Sequence, residues 1–452
     1  MTTQNKNFNK LDMYCSKVLY RKVSAEKILP INIFVYKFCR SNVNCEVGTR
    51  FLFLKKIKIQ IGTYLSLHTP ANHIVFNKAF KYFKNHLLFF PKSSTVSMNS
   101  MNDSMELFAS YDTIYPADTV EWCPISEHSN VFVCGTYKLD EATKTKTGTI
   151  NLFTLDSQNK IKLVQSVTED AVLDIKWNPF IVSGHILLAA ALSGKHVSVY
   201  RLDENGTDIS LSLFTSFDLP KTNGESNMSL SIAWSCPYEN GSQSIAFSDS
   251  GGYITLVNLN NQLIHSFKAH DFESWTVTYN YWEPNILFTG GDDCKFKCYD
   301  QRLQFDKPVF ENREHEQGVT TCSSNKIREY IIVTGSYDEN IRLWDIRNIK
   351  HSYNSVKVDG GVWRLKWEPN KEEYLLSASM FNAAQIIDTS LNVANICQSF
   401  GEKNNRLYYG ADWCHHHDTQ FEHDTKSKNK KIIATCTFYD HRLDLFFVNM
   451  KL

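Results

Sequence analysis

Residues 314 to 347 read as one repeat unit that closes on a strand in which positions alternate between two faces with a period of two. After Glu314-His315 come a β-branched run from Tyr330 to Thr334 and a Gly-Ser-Tyr-Asp turn. A strand follows in which Ile341, Leu343 and Asp345 point one way and Asn340, Arg342 and Trp344 the other. The alternation predicts a half-buried strand, because successive side chains of extended backbone leave on opposite faces. Asp338 falls where a tight turn can present its carboxylate to His315 and to backbone N–H groups. One such unit cannot bury its own sheet faces, so it predicts neighbours.

The neighbours recur from Met105 onward at about the 40 to 50 residue spacing of WD-type propeller blades. The first runs from Asp118-Thr-Val-Glu-Trp-Cys-Pro to the strand ending at Asp156, with a polar insert from Asp140 to Gly148. Others contain VLDIKWNP (172–179), LSIAWSCP (230–237), WTVTYNYWEP (275–284), GGVWRLKWEP (360–369) and YGADWC (409–414). Proline after the tryptophan ends strand pairing at an exposed turn, and Trp177, Trp234, Trp344 and Trp367 read as packing residues. The fold expected is all-β, a seven-bladed WD40 β-propeller over residues 105–452. Its seventh unit stops one strand short at Met450, so residues 106–111 are expected to supply the missing strand and close the ring.

Composition adds a boundary. The 452 residues balance to zero formal charge, and aromatics at 13% suit a core-forming β protein better than a nucleic-acid binder. Residues 1–97, however, carry sixteen Lys/Arg against three acids, which marks residues 1–100 as a basic N-terminal extension outside the fold. FLFLKKIKIQIG (51–62) fits a strand and AFKYFKNHLLFF (79–90) a basic amphipathic helix. The scarcity of acids also fits a mitochondrial transit segment. The reading adopted is a leader, with Met98, Met101 or Met105 as alternative starts. Twelve cysteines without a CxxC pair point to reduced thiols in the cytosol or nucleus, and a cytoplasmic location is the one expected. No apolar run approaches the roughly 18 residues of a membrane span.

No GxSxG elbow, HExxH helix or Walker-type loop is present. Several segments nevertheless vary from ordinary WD repeats in a shared direction: GSYDENIRLWDIRN, GGVWRLKWEP, AHDFESW with NYWEPNILFTGGDD, and YGADWC with TCTFYDH. These resemble the diphthine methyl ester hydrolase family, the WD-repeat proteins of diphthamide synthesis also called diphthine methyltransferase. The resemblance covers the fourth to seventh repeats strongly and the first, through ADTVEWCP and CGTY, moderately; residues 1–100 are outside it. It implies a monomeric, cofactor-free carboxylic-ester hydrolase that demethylates methylated diphthine on a histidine of elongation factor 2, releasing methanol. That side chain carries a quaternary ammonium and an ester, so the site needs aromatic faces, an activated water or nucleophile, and oxyanion donors. The alternative is a non-catalytic adaptor that holds elongation factor 2 or another protein on the same face.

Aligning the turns on Asp338 puts Asp292, Tyr337, Phe381 and Tyr439 one place before the turn, where blade loops meet around the channel. Loops on the same face add His270, Glu273, Trp275, His315, Trp363 and Asp412, while Glu339 and His441 follow their turns. Asp292 and His441 are the acid–base candidates, with His270 kept beside them although its spacing to Asp293 also fits a structural pair. Tyr337, Tyr439, Trp363, Trp275, Glu339 and Phe381 are the substrate-binding candidates. The His415-His416-His417 run, with Cys414, Asp418 and His423, reads as a polar insert between strands rather than a metal site.

Overall fold

A computed structural model describes residues 105–450 except 195, 220–226, 238–242, 260–261, 306, 382, 391–392, 401–405 and 416–429. The strand and helix expected at 51–62 and 79–90 lie outside the described residues, as does the histidine-rich insert beyond His415. The described chain forms seven antiparallel sheets, six of four strands and one of five. Helix among the described residues is limited to two short 3-10 turns, Ser126–His128 and Ile346–Asn348. The sheets are the blades of a seven-bladed β-propeller. The fifth strand of blade 1 is Lys138–Leu139, which folds the polar insert back onto Lys146 and Thr147.

Each blade buries its faces against the next, as the apolar alternation requires. Blade 5 packs Phe288, Phe296 and Cys298 of blade 4 against Cys322, Ile332 and Trp344, and its other face meets Val362, Leu365 and Trp367 of blade 6. The tryptophans at the ends of the innermost strands latch neighbouring blades together. Trp177 donates its indole N–H to the Glu121 carbonyl at 3.4 Å, Trp234 to Lys176 at 2.9 Å and Trp413 to Lys366 at 3.1 Å. Each bond runs to the innermost strand of the preceding blade, so these residues set blade spacing as well as filling core.

The last blade takes its outermost strand from the start of the described chain. Met105–Asp112 pairs antiparallel with Arg442–Asn449, Met105 opposite Val448 and Asp112 opposite Arg442. Phe108 stacks on Phe447 with centroids 4.0 Å apart, and Tyr111 meets Phe153 of blade 1 edge-on at 4.9 Å.

Blade 5 also contains a buried relay. His315 Nδ1 lies 2.9 Å from the Asp338 carboxylate, His315 Nε2 2.7 Å from Thr334 Oγ1, and the Trp344 indole N–H donates to that same hydroxyl at 2.8 Å. An indole can only donate, so Thr334 passes its proton to Nε2 and the proton on Nδ1 faces Asp338. Burial alone would raise the Asp338 pKa. The hydrogen bond from His315, with the N–H groups of Glu316 and Asn340, outweighs it and holds the pKa at about 2. A depressed carboxylate stabilises the fold above its unfolded pKa and loses that contribution as pH falls through the folded value. Asp338→Asn should therefore cost about 2 kcal/mol at neutral pH, with the gap from wild type closing between about pH 4 and pH 2. Thermal melting of both proteins across that range measures it; a gap constant with pH would refute the relay.

Candidate active site

All seven innermost strands carry a β-bulge at the same place, and it re-aims one side chain per blade. The extra residue lies between Ala117 and Thr119 in blade 1, between Ser274 and Thr276 in blade 4, and between Val362 and Arg364 in blade 6. The bulged residues are Asp118, Leu173, Leu230, Trp275, Thr320, Trp363 and Tyr409. Beside them stands a second ring. The first residue of each following turn donates its N–H to the carbonyl before the innermost strand at 2.8 to 3.0 Å: Tyr137 to Pro116, Asp292 to Glu273, Tyr337 to Gly318, Met380 to Gly361 and Phe438 to Leu407 among them. Thus Met380 and Phe438, not Phe381 and Tyr439, are the counterparts of Tyr337. In blade 6 the turn aspartate itself is replaced by Phe381, and in blade 7 the turn from Phe438 to His441 is one residue longer.

The two rings merge into an aromatic wall. Trp275 of blade 4 meets Trp363 of blade 6 at 5.6 Å, a contact between blades two apart that only the channel axis permits. Tyr337 fills the gap, 6.2 Å from Trp275 and 5.9 Å from Trp363. The wall continues through Tyr409, 5.0 Å from Trp363, to Phe438 and then Tyr137. Trp275 donates its indole N–H to Asp292 Oδ1 at 3.1 Å. Burial raises the Asp292 pKa, the Trp275 bond lowers it, and the charge of Asp293 adds to the rise. Glu273 is raised by burial in the same way. Gly318 keeps this corner open, since a Cβ there would come within 2.7 Å of Asp292 Oδ1 and 3.2 Å of the Tyr337 ring.

Charged side chains close the channel beneath the wall. Arg364 crosses from blade 6 to blade 2, donating to the Leu173 carbonyl at 2.7 Å and pairing with Asp174 at 3.5 Å. Lys366 bridges Glu121 and Asp412, and Lys176 pairs with Asp174 at 2.8 Å and Glu121 at 3.7 Å. Burial would push Asp174 up, but Lys176 and Arg364 bring it below its usual range. Asp118 differs. It is only 5% exposed. Burial raises it to about 7, against the pull of Arg364 and with the push of Asp174.

The WD domain, G-beta repeat family matches residues 306–345. Diphthine methyltransferase of Mus musculus is 35% identical over 337 residues, spanning 69% of this chain and 70% of that protein. The Homo sapiens protein of the same name is 34% identical over 67% of this chain and 73% of its own length, and that of Schizosaccharomyces pombe 31% identical over 74% and 95%. The chain belongs to the diphthine methyltransferase family. A chain from the crystal structure of the Mitotic Checkpoint Complex superposes with a TM-score of 0.58 over 80% of this chain and 98% of its own. At 15% identity that likeness is one of fold.

In this diphthine methyltransferase family chain the structure gathers Trp275, Asp292, Tyr337, Trp363 and the backbone of Glu273 at one mouth. Other candidates stand elsewhere. His270 is buried with Nδ1 2.8 Å from Asp293 and Nε2 2.8 Å from Thr289 Oγ1, so both ring nitrogens are engaged within blade 4. Burial depresses its pKa against the pull of Asp293. Glu339 and His441 end their turns in left-handed backbone, φ 68° and 54°, and their carbonyls receive N–H groups from Val358 and Thr113 beside the outermost strands. Glu339 pairs there with Lys357 at 3.1 Å. Tyr439 stands beside Phe438 at 5.3 Å and is exposed, while Phe381 takes φ 70° in the turn aspartate's place. Asp412 lies deeper, accepting the Trp122 N–H at 2.7 Å. Sequence reasoning missed Asp118, Tyr137, Tyr409, Phe438 and Arg364. A usable signal existed: each bulged residue stands four before the residue that ends its innermost strand, as Asp118 before Trp122, Trp275 before Tyr279, Trp363 before Trp367 and Tyr409 before Trp413.

Proposed function

We propose that this channel mouth hydrolyses the methyl ester of methylated diphthine on elongation factor 2, releasing methanol, with the cytosolic factor as its partner. The observation that carries the reading is the junction of an aromatic wall with buried carboxyl groups, because the substrate joins a quaternary ammonium to an ester. The cation rests against ring faces, an attraction of roughly 0.5–2 kcal/mol per ring depending on desolvation. A carboxylate whose pKa burial has raised is suited to take a proton from the attacking water near neutral pH. Water adds to the ester carbonyl, the tetrahedral intermediate collapses, methoxide leaves as methanol, and the product acid ionises to a carboxylate.

The test is methanol release from methylated elongation factor 2 by the purified protein. One methanol per ester, with no methyl donor added, is expected. Intact ester after prolonged incubation, with binding demonstrated, would favour the adaptor reading. Consumption of S-adenosylmethionine with a gain of methyl on the substrate would show methyl transfer in its place.

A further inference from the structure

We propose that Asp118 is the general base of this hydrolysis, taking the proton from the water that attacks the ester; the assignment rests on the ester-hydrolase reading above. Three observations converge on it. First, Asp118 is the one carboxylate among the seven bulged residues, so its side chain is re-aimed to the channel mouth by the same device that places Trp275, Trp363 and Tyr409. Second, it stands beside the wall. The innermost strands of blades 7 and 1 touch where a Cβ on Gly410 would come within 2.8 Å of Val120 N and 3.0 Å of Thr119 Cα, directly after Tyr409 and Asp118. The charge of Asp118 accordingly adds to the burial that pushes the Tyr137 hydroxyl up to about 12 and raises Tyr409. Third, Asp118 is nearly buried with the charges of Arg364 and Asp174 both acting on its carboxyl, a placement that calls for an explanation in function.

Substrate geometry then separates the two aspartates. In the methylated side chain the quaternary nitrogen and the ester carbonyl carbon are bonded to one carbon atom, so both groups must bind within a few ångströms of each other. A cation against Trp363 and Tyr409, whose rings are 5.0 Å apart, brings the ester beside Asp118. Asp292 is held by the Trp275 indole in blade 4, three blades away, and acts as a counter-charge to the cation. The proton balance closes. Asp118 accepts the water proton as the C–O bond forms and returns it to the departing methoxide; the new acid then loses its own proton to solvent.

The groups facing Asp118 are Arg364, Asp174, Tyr137, Tyr409 and the thiol of Cys436. Of the carboxyl and imidazole groups there, Asp118 is the one that titrates near neutrality, its pKa raised to about 7. A base works when deprotonated, so wild-type kcat should fall about tenfold per pH unit below about 7. Asp118→Asn should lower kcat by about 10²- to 10⁴-fold, leave KM within about threefold, and abolish that limb, whereas Asp292→Asn keeps the limb. In Asp118→Ala, added formate should restore part of the rate, which a purely structural role would not allow.

A wild-type profile flat from pH 5.5 to 8.5, or Asp118→Asn with more than a tenth of wild-type kcat, overturns the assignment alone. If Asp118→Asn fails to fold, the wild-type profile decides. A wild-type protein that releases no methanol overturns the hydrolase reading and this one together.

Discussion

Trp363→Ala should raise KM for methylated elongation factor 2 by about 30-fold, the equivalent of about 2 kcal/mol for a desolvated cation–π contact. Trp363 is chosen because three rings converge on it: Trp275, Tyr337 and Tyr409 lie at 5.6, 5.9 and 5.0 Å. The Arg364 guanidinium packs 5.6 Å from its ring on the floor side. Truncation removes the centre of the wall, not one contact at its edge. Trp363→Phe keeps a smaller ring and should lose no more than about fivefold. A substrate analogue with a neutral tert-butyl group in place of the trimethylammonium should bind the alanine variant and the wild type within about threefold of each other. Trp282→Ala provides the control, since Trp282 is exposed beyond the opposite ends of the innermost strands. Steady-state kinetics on the four proteins decide the matter; a Trp363→Ala protein with wild-type KM would remove the wall from substrate binding.

Deleting residues 105–112 should lower the thermal midpoint by roughly 10 °C or more and reduce soluble yield. The deletion strips a full strand from Arg442–Asn449 and leaves that edge open, which templates association with other chains. Apolar burial goes with it, because Phe108, Ala109 and Tyr111 pack into the core shared by blades 7 and 1. So does a polar clasp, in which Arg442 donates to the Ser110 hydroxyl and Ser110 to Asp444. Together these cost several kcal/mol of a net stability of about 5–15 kcal/mol. A chain beginning at residue 98 keeps the strand and should melt within about 2 °C of the full chain, with each kcal/mol shifting the midpoint by about 2–4 °C. Equal destabilisation by both truncations would mean that the leader, rather than the strand, supports the propeller.

The period-two alternation and the repeated Trp-x-Pro endings are local properties, so the seven blades were legible in the sequence. So was the His315–Asp338 pairing, whose spacing is set by one turn of one blade. Trp275, Asp292, Tyr337 and Trp363 could also be singled out, because aromatic and acidic residues at a turn rim have no core to fill. Asp118 could not, since alternation counts side chains up and down and a bulge shifts that count by one residue at the point where it occurs. The same slip displaced Phe381 and Tyr439 from the ring occupied by Met380 and Phe438.

By itself, then, the sequence determined the strands, their faces and the number of blades, because hydrophobic periodicity acts within a few residues. Only the tertiary structure decided which residues meet at the channel mouth. Asp118 and Trp363 are 245 positions apart in the chain, and ring closure with seven matching bulges brings their blades together around one axis. It also placed both ring nitrogens of His270 in hydrogen bonds completed inside blade 4.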